Sequence, residues 1–369
     1  MKVLIVDDSV VFRSQIKSAL EENNEIVVVN TAANGKIALD RLEQNVVDIV
    51  ILDLEMPVMD GLQMLEEMRK KGFNQKVIIF AAPTGEGVDL ALTALRAGAS
   101  DFISKPNSSE SNLEQALEGI KKELIPKILQ FKNKFKPSET IKKSEIVDTN
   151  IVKKDHVISN EPQIVYKNVT SENLMYKKPK AIGIGSSTGG PTALENIFAQ
   201  LNGISLNIPI FIVQHMPPKF TEALAKRIET ISGHPTHEAR HGDVVFSGHI
   251  YIAPGDYHMT IERASDSNSF KIKLDQGPKR NFVRPSVDNL FESLAENYGN
   301  TCVAFVLTGM GEDGMVGSSA IKLASGSIII QDASSSTVWG MPGAVYTSGN
   351  FDVMAGLDVC AKYITQMVK

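Results

Sequence analysis

The sequence predicts two α/β domains, each a largely parallel sheet with helices on both faces. Three observations carry this. Residues 1–122 alternate five apolar runs with five amphipathic stretches, the signature of strand–helix units in a doubly wound sheet. Residues 123–179 change texture: the span 121–180 holds 14 Lys, no Arg and 7 acidic residues, interrupted by Pro126, Pro137, Pro162 and Pro179. That composition reads as a solvated linker. Residues 180–369 resume buried strands between helical stretches. Two domains of ordinary size plus a connection account for 369 residues.

In order, strands are expected near 2–6, 26–29, 48–52, 76–81 and 101–104, and helices near 10–22, 34–43, 61–70, 86–97 and 109–122. Short ordered pieces are expected in the linker near Ile151–Val152 and Ile164–Tyr166. The second domain offers strands at Lys180–Gly185, Ile208–Gln214, Thr301–Thr308 and Ser327–Gln331. Its helices fall near 191–201, 218–231, 286–298 and 314–325. Between 235 and 285, Gly248, Pro254, Gly255, Gly277 and Pro278 punctuate the chain and suggest antiparallel hairpins.

The composition is 43% hydrophobic and 22% charged, with a net charge of −5. That balance argues against wrapping nucleic acid. Two cysteines, Cys302 and Cys360, make neither a disulfide framework nor a zinc cluster. The opening apolar run is too short for a signal peptide, and no stretch reaches the ~18 apolar residues of a membrane span. A cytoplasmic protein without membrane insertion is the expectation.

In parallel sheets ligands bind at the carboxyl ends of the strands. Asp7 and Asp8 follow the first strand, Asp53 the third and Lys105 the fifth, so these charges should converge. Crowded carboxylates repel unless a hard cation neutralises them, and Mg²⁺ suits such a set. A carboxylate can also attack a phosphoryl group while metal and lysine offset the charge. One strand-end Asp would be a solvated loop group. Three with a Lys point to a site.

The stretches Leu4-Ile5-Val6-Asp7-Asp8-Ser9, Asp53-Leu54-Glu55-Met56-Pro57-Val58-Met59-Asp60-Gly61 and Phe102-Ile103-Ser104-Lys105-Pro106 resemble the receiver domain of two-component response regulators. The resemblance covers 1–122 and implies a flavodoxin-like five-stranded sheet. It implies that Asp53 accepts a phosphoryl group from a histidine kinase. Asp8, Asp53 and the Glu55 carbonyl would hold Mg²⁺ with help from Asp7, and Lys105 would pair with the phosphoryl group. One position departs: Ala81 stands where the family carries Ser or Thr, and Thr84 comes too late to replace it. The coupling of phosphorylation to shape change depends on that hydroxyl.

Gly185-Ser186-Ser187-Thr188-Gly189 fits G-x-S-x-G between an apolar strand and a helix opening at Pro191. Small neighbours let the chain turn sharply and expose Ser187, with helix N–H groups ready for an oxyanion. A P-loop is disfavoured because Pro191 stands where its lysine must be. A dinucleotide fingerprint fails at Thr188, and the next strand ends in Gln214-His215 rather than an acid. Of seven histidines only His215 directly follows a buried parallel strand. Asp313 follows another in Thr308-Gly309-Met310-Gly311-Glu312-Asp313-Gly314, with Glu312 as runner-up. Three strand tips carrying Ser, His and Asp make a converging acyl-transfer set.

Three further features need weighing. His237-Glu238-Ala239-Arg240-His241 matches H-E-x-x-H, but Pro235 and Gly242 leave no room for the helix that zinc chemistry requires. Trp339 reads equally as groove lining or core anchor. Arg284-Pro285-Ser286-Val287-Asp288 reads as a substrate contact or, through Ser286, as a helix N-cap.

The second half resembles the catalytic domain of the chemotaxis protein-glutamate methylesterases. The matching stretches are Ser187-Thr188-Gly189-Gly190, Gln214-His215-Met216-Pro217-Pro218, Tyr251-Ile252-Ala253-Pro254-Gly255-Asp256, Arg284-Pro285-Ser286-Val287-Asp288 and Leu307 to Gly314. By that resemblance Ser187 is the nucleophile, His215 the base and Asp313 the orienting acid. Backbone N–H groups near Met310 serve the oxyanion, Thr188 supports the site, and the esterase site needs no cofactor. Glutamate methyl esters on cytoplasmic helices of chemoreceptors are the implied substrates, with glutamine deamidation alongside. The receiver is expected to cover the cleft until Asp53 is phosphorylated. The linker is long for the family, so the interdomain packing stays open. An adapter without catalysis is disfavoured by the intact Ser187, His215 and Asp313. A receiver-controlled nucleotide-binding regulator is disfavoured by Pro191 and Thr188.

Overall fold

The computed structural model describes residues 1–105, 113–132, 165–166, 178–264 and 269–369. Ile151–Val152, Ile164, Pro106, Pro137 and Pro162 lie outside the described residues. Among those described, no helix is long and apolar enough to cross a membrane.

The first domain runs β1 (Lys2–Val6), α1 (Val10–Glu21), β2 (Val27–Ala32), α2 (Gly35–Gln44), β3 (Ile49–Asp53), α3 (Gly61–Lys70), β4 (Lys76–Ala81), α4 (Gly85–Arg96), β5 (Asp101–Ser104) and α5 (Leu113–Leu129). The five strands pair in parallel in the order β2-β1-β3-β4-β5. Four helices start where a short polar side chain accepts an N–H one turn on: Ser9 from Phe12, Asn34 from Ile37, Asp60 from Gln63 and Thr84 from Gly87. Helix α5 runs beyond 122, through Pro126. A proline inside a helix costs about 3 kcal/mol. Leu124 and Ile128 are fully buried on either side of it, worth about 1.5–3 kcal/mol each, and Lys127 pairs with Asp101 at 2.6 Å.

The second domain continues with β7 (Ala181–Ser186), α6 (Gly190–Ala199), β8 (Ile210–Gln214), α7 (Phe220–Ser232), β9 (Thr236–Glu238), β10 (Ile250–Ile252), β11 (His258–Arg263), β12 (Phe270–Asp275), α8 (Val287–Tyr298), β13 (Cys302–Val306), α9 (Met315–Leu323), β14 (Ser327–Gln331), α10 (Met341–Ser348), β15 (Val353–Ala355) and α11 (Leu357–Met367). A short β6 (Val165–Tyr166) joins its sheet, whose order is β6-β15-β14-β13-β7-β8-β10-β9. Only the β15–β6 pair is antiparallel; the others are parallel. The expected hairpins between 235 and 285 are half right. Strands β11 and β12 form one, whereas β9 and β10 extend the parallel sheet. Ile250, Tyr251 and Ile252 are fully buried, as strands covered on both faces must be. Elements α10, β15 and α11 had no expected counterpart.

The domains touch beside the tip of β7. Thr188 donates its hydroxyl to Asp101 Oδ2 at 2.7 Å. Phe102 stacks on Phe220 with centroids 4.4 Å apart, a contact worth about 1 kcal/mol beyond its area. Lys219 Nζ reaches the Pro83 carbonyl at 3.2 Å.

Gly255, after β10, packs against the loop that follows His215. A Cβ there would stand 2.3 Å from Pro218 N and 2.4 Å from Pro217 C. Backbone cannot yield as a flexible side chain does. Gly255→Ala is therefore expected to cost about 3 kcal/mol. Calorimetry should show the second domain's unfolding midpoint lowered by roughly 6–12 °C; an unchanged midpoint would mean that the loop moves freely.

Candidate active site

Asp313 follows the strand tip of β13 and lies under the N-terminus of α8. Its Oδ2 takes His215 Nε2 at 2.8 Å and the Val287 N–H at 2.6 Å. Its Oδ1 takes the Ser286 hydroxyl at 2.8 Å, the Asp288 N–H at 3.1 Å and Asn281 Nδ2 at 3.3 Å. Burial pushes this carboxyl up, but the bond and charge of His215, then Val287 and Ser286, outweigh it and hold Asp313 at about 2. Ser286 does stand at the N-cap position, yet its hydroxyl serves Asp313 and makes no cap bond.

An ionised carboxylate can only accept, so His215 Nε2 must carry the proton. That leaves Nδ1 as the lone pair available for a base. His215 sits at the tip of β8, next to β7, where Ser186 pairs with Gln214. Its own N–H bonds to the Ser186 carbonyl at 3.1 Å. Ser187 heads the neighbouring tip, half-buried. Among the described residues no hydrogen bond reaches its Oγ, a looseness common in sites without substrate.

The turn at Ser187 is held from three sides. The Ser187 N–H donates to Thr308 O at 3.0 Å, and Thr308 Oγ1 donates to Thr188 O at 2.9 Å. Gly189 turns left-handed at φ 78. Gln214 is 1% exposed; it accepts from Ser186 Oγ at 2.7 Å and donates to Ser187 O at 2.9 Å. A Cβ on Gly190 would lie 1.9 Å from Gln214 Oε1, so the Gly-rich loop makes room for this amide rather than for a phosphate. Near Met310, the Gly309 N–H is already taken by Val338 O at 2.9 Å. The Thr188 side chain is turned to Asp101.

In the first domain, Asp7, Asp8 and Asp53 converge, with one oxygen from each within 4.8 Å of the others. Lys105 Nζ lies 2.7 Å from Asp53 and 3.6 Å from Asp7. Burial first, then the Asp53 charge, pushes Asp7 up to about 6. One lysine does not neutralise this cluster, and its all-oxygen donor set fits a hard divalent cation. Glu55 donates its N–H to Asp53 Oδ1 at 3.3 Å. Ala81 is buried at the end of β4, and Thr84 spends its hydroxyl capping α4.

The remaining candidates meet partners within the second domain. His237 and Glu238 lie on strand β9, and His241 Nδ1 meets the backbone of Leu274, so the H-E-x-x-H match makes no helical zinc pair. Trp339 is half-buried and donates to Gln331 O at 2.8 Å. Arg284 is occupied by Asp256 at 2.6 Å. Asn281, Gln214 and the carboxylate-binding end of α8 carry roles the motifs did not reveal. The nearest signal was Ser286-Val287-Asp288 opening an amphipathic helix.

Gln214→Glu would set a carboxylate against the Ser187 carbonyl in place of a donor. Labelling of Ser187 by a fluorophosphonate should slow about 100-fold, the cost of misplacing a nucleophile by about 1 Å. Unaltered labelling would remove Gln214 from the support of the turn.

Comparison with known proteins agrees with this layout. The response regulator receiver domain profile matches residues 3–118 and the CheB methylesterase profile residues 182–364. A protein-glutamate methylesterase/protein-glutamine glutaminase of Trichodesmium erythraeum is 40% identical over 100% of this chain and 99% of its own length. One from Paramagnetospirillum magneticum is 37% identical over 100% and 96%. The Thermotoga maritima CheB methylesterase catalytic domain is 38% identical, with a match covering 52% of this chain and 99% of that one at TM-score 0.49. The chain therefore belongs to the CheB methylesterase family and carries a response regulator receiver domain at its N-terminal end.

Proposed function

We propose that the chain is a phosphorylation-regulated protein-glutamate methylesterase that also deamidates glutamine, acting on cytoplasmic helices of chemoreceptors. The observation that carries the reading is the His215–Asp313 pair at 2.8 Å, on the sheet edge that also presents Ser187. Ser187 Oγ attacks the ester carbonyl carbon while His215 Nδ1 takes its proton. Asp313 offsets the imidazolium charge. N–H groups near Met310 receive the oxyanion. The C–O bond to the alkoxy group breaks, His215 returns the proton, and methanol leaves. Water, deprotonated by His215, then hydrolyses the acyl-enzyme to free glutamate. A glutamine side chain follows the same course with ammonia as leaving group.

Control enters at Asp53, which accepts a phosphoryl group from a chemotaxis histidine kinase. Mg²⁺, when held by Asp7, Asp8, Asp53 and the Glu55 carbonyl, offsets charge on the phosphoryl oxygens. Lys105 leaves Asp53 to pair with the phosphoryl group. The Thr188–Asp101 bond and the Phe102–Phe220 stack support a receiver that restrains the catalytic turn until that exchange occurs. Ala81 weakens the link between phosphorylation and release, since it offers the phosphoryl oxygens no hydroxyl.

Methanol release from methylated receptor fragments tests the reading. Ser187→Ala should lower it by about 10⁴-fold or more. A small-molecule phosphodonor with Mg²⁺ should stimulate wild type and not Asp53→Asn. No release from any methylated receptor would replace the esterase with an adapter.

The restraint has its own test. Asp101→Ala removes a charge-assisted bond worth about 1.5–3 kcal/mol, so unphosphorylated activity should rise by about tenfold or more. Basal activity equal to wild type would mean that the Thr188 contact restrains nothing.

A further inference from the structure

The turn between Arg280 and Val283 holds a side chain that the ester chemistry does not use. Arg280 and Val283 exchange both backbone hydrogen bonds, at 3.1 and 3.0 Å, closing a two-residue loop over Asn281 and Phe282. Both loop residues are left-handed, with φ 51 and 64. Such loops favour Asn followed by Gly. Here the second place is aromatic, and its Cβ resists the conformation. The ring gains no packing in exchange: Phe282 is 96% exposed, the most of any large hydrophobic side chain described.

The loop is nevertheless clamped. Arg280 makes two bonds to Glu292, at 2.6 and 2.7 Å, and a third to Asn289 at 3.2 Å. Asn281 Nδ2 bonds Asp288 at 3.0 Å and Asp313 at 3.3 Å. The polar groups are thus turned inward onto the catalytic acid, and the ring projects from the same turn. Met310 and Val316, before and after Asp313 in the chain, are also exposed, at 38% and 46%. An uncovered aromatic on a clamped turn that bonds Asp313 has the properties of a docking anchor: large contact area, and a backbone with little freedom left to lose on binding.

We infer that Phe282 docks the substrate protein: its ring packs on an apolar side chain of the substrate next to the ester-bearing residue, while the ester lies against Ser187. This rests on the esterase reading, with a protein as substrate. A small ester lacks the second contact, so Phe282 sets selectivity for the protein over free esters.

The test uses the full-length chain with phosphodonor and Mg²⁺. kcat/KM is measured on a methylated receptor fragment and on p-nitrophenyl acetate, for wild type, Phe282→Gly and Phe282→Tyr. Glycine suits the left-handed backbone, so the turn survives the change. The ratio of receptor to small-ester kcat/KM should fall about tenfold in Phe282→Gly, mainly through KM, and recover in Phe282→Tyr. An unchanged ratio, or equal loss on both substrates, overturns the inference while the esterase stands. Wild type that cleaves the small ester but frees no methanol from the receptor fragment overturns the receptor reading, and the docking role with it.

Discussion

A carboxylate taken out of water needs partners, or it destabilises the fold by several kcal/mol. Asp313 is 2% exposed and finds its partners at the start of α8, where backbone N–H groups and the helix dipole favour negative charge. Much of the second domain's active face follows from that placement. The charge is kept, so His215 has one permitted tautomer. Asn281 is drawn in, which fixes the Arg280–Val283 turn. Asp288 completes the arrangement: its Oδ1 accepts from Gly314 and Gly317 at the start of α9, although burial pushes its own pKa up. Two buried acids thus serve two helix N-termini, and neither helix has a side-chain cap of its own. The first domain differs, since four of its helices are capped by their own polar residues.

Asp101 plays a similar part between the domains. Its Oδ2 is shared by Lys127 of α5 and Thr188 of the turn after β7. One oxygen thus connects a helix of the receiver to the residue after Ser187. The stacked Phe102 and Phe220 add apolar area nearby.

Much of this was legible in the sequence because parallel sheets bring strand tips to one edge. Asp7, Asp53 and Lys105 could be gathered from linear motifs, and so could Ser187, His215 and Asp313. What could not be read is what holds them. Besides His215 and the adjacent Gly314, the donors to Asp313 come from Asn281, Ser286, Val287 and Asp288, on a separate loop and the helix it opens, and nothing local marks them as its partners. Gln214 looked like the end of a strand, and its amide acts across to Ser187. Strands β9 and β10 were hidden by the glycines and prolines around them, which signal turns whatever the direction of pairing. Helix α5 persisted through Pro126 because tertiary burial outweighed a local penalty.

The bond between Thr188 and Asp101 has a thermodynamic corollary. If the receiver and the substrate compete for the same turn, their equilibria are linked, and linkage is reciprocal. Whatever favours the released turn from the receiver side must also be favoured by occupancy of the cleft. A chain engaged on its substrate is then shifted toward the domain arrangement that the phosphoryl group prefers. Substrate affinity and the equilibrium extent of phosphorylation rise together, so a substrate bearing methyl esters becomes part of the input that sets the enzyme's own state.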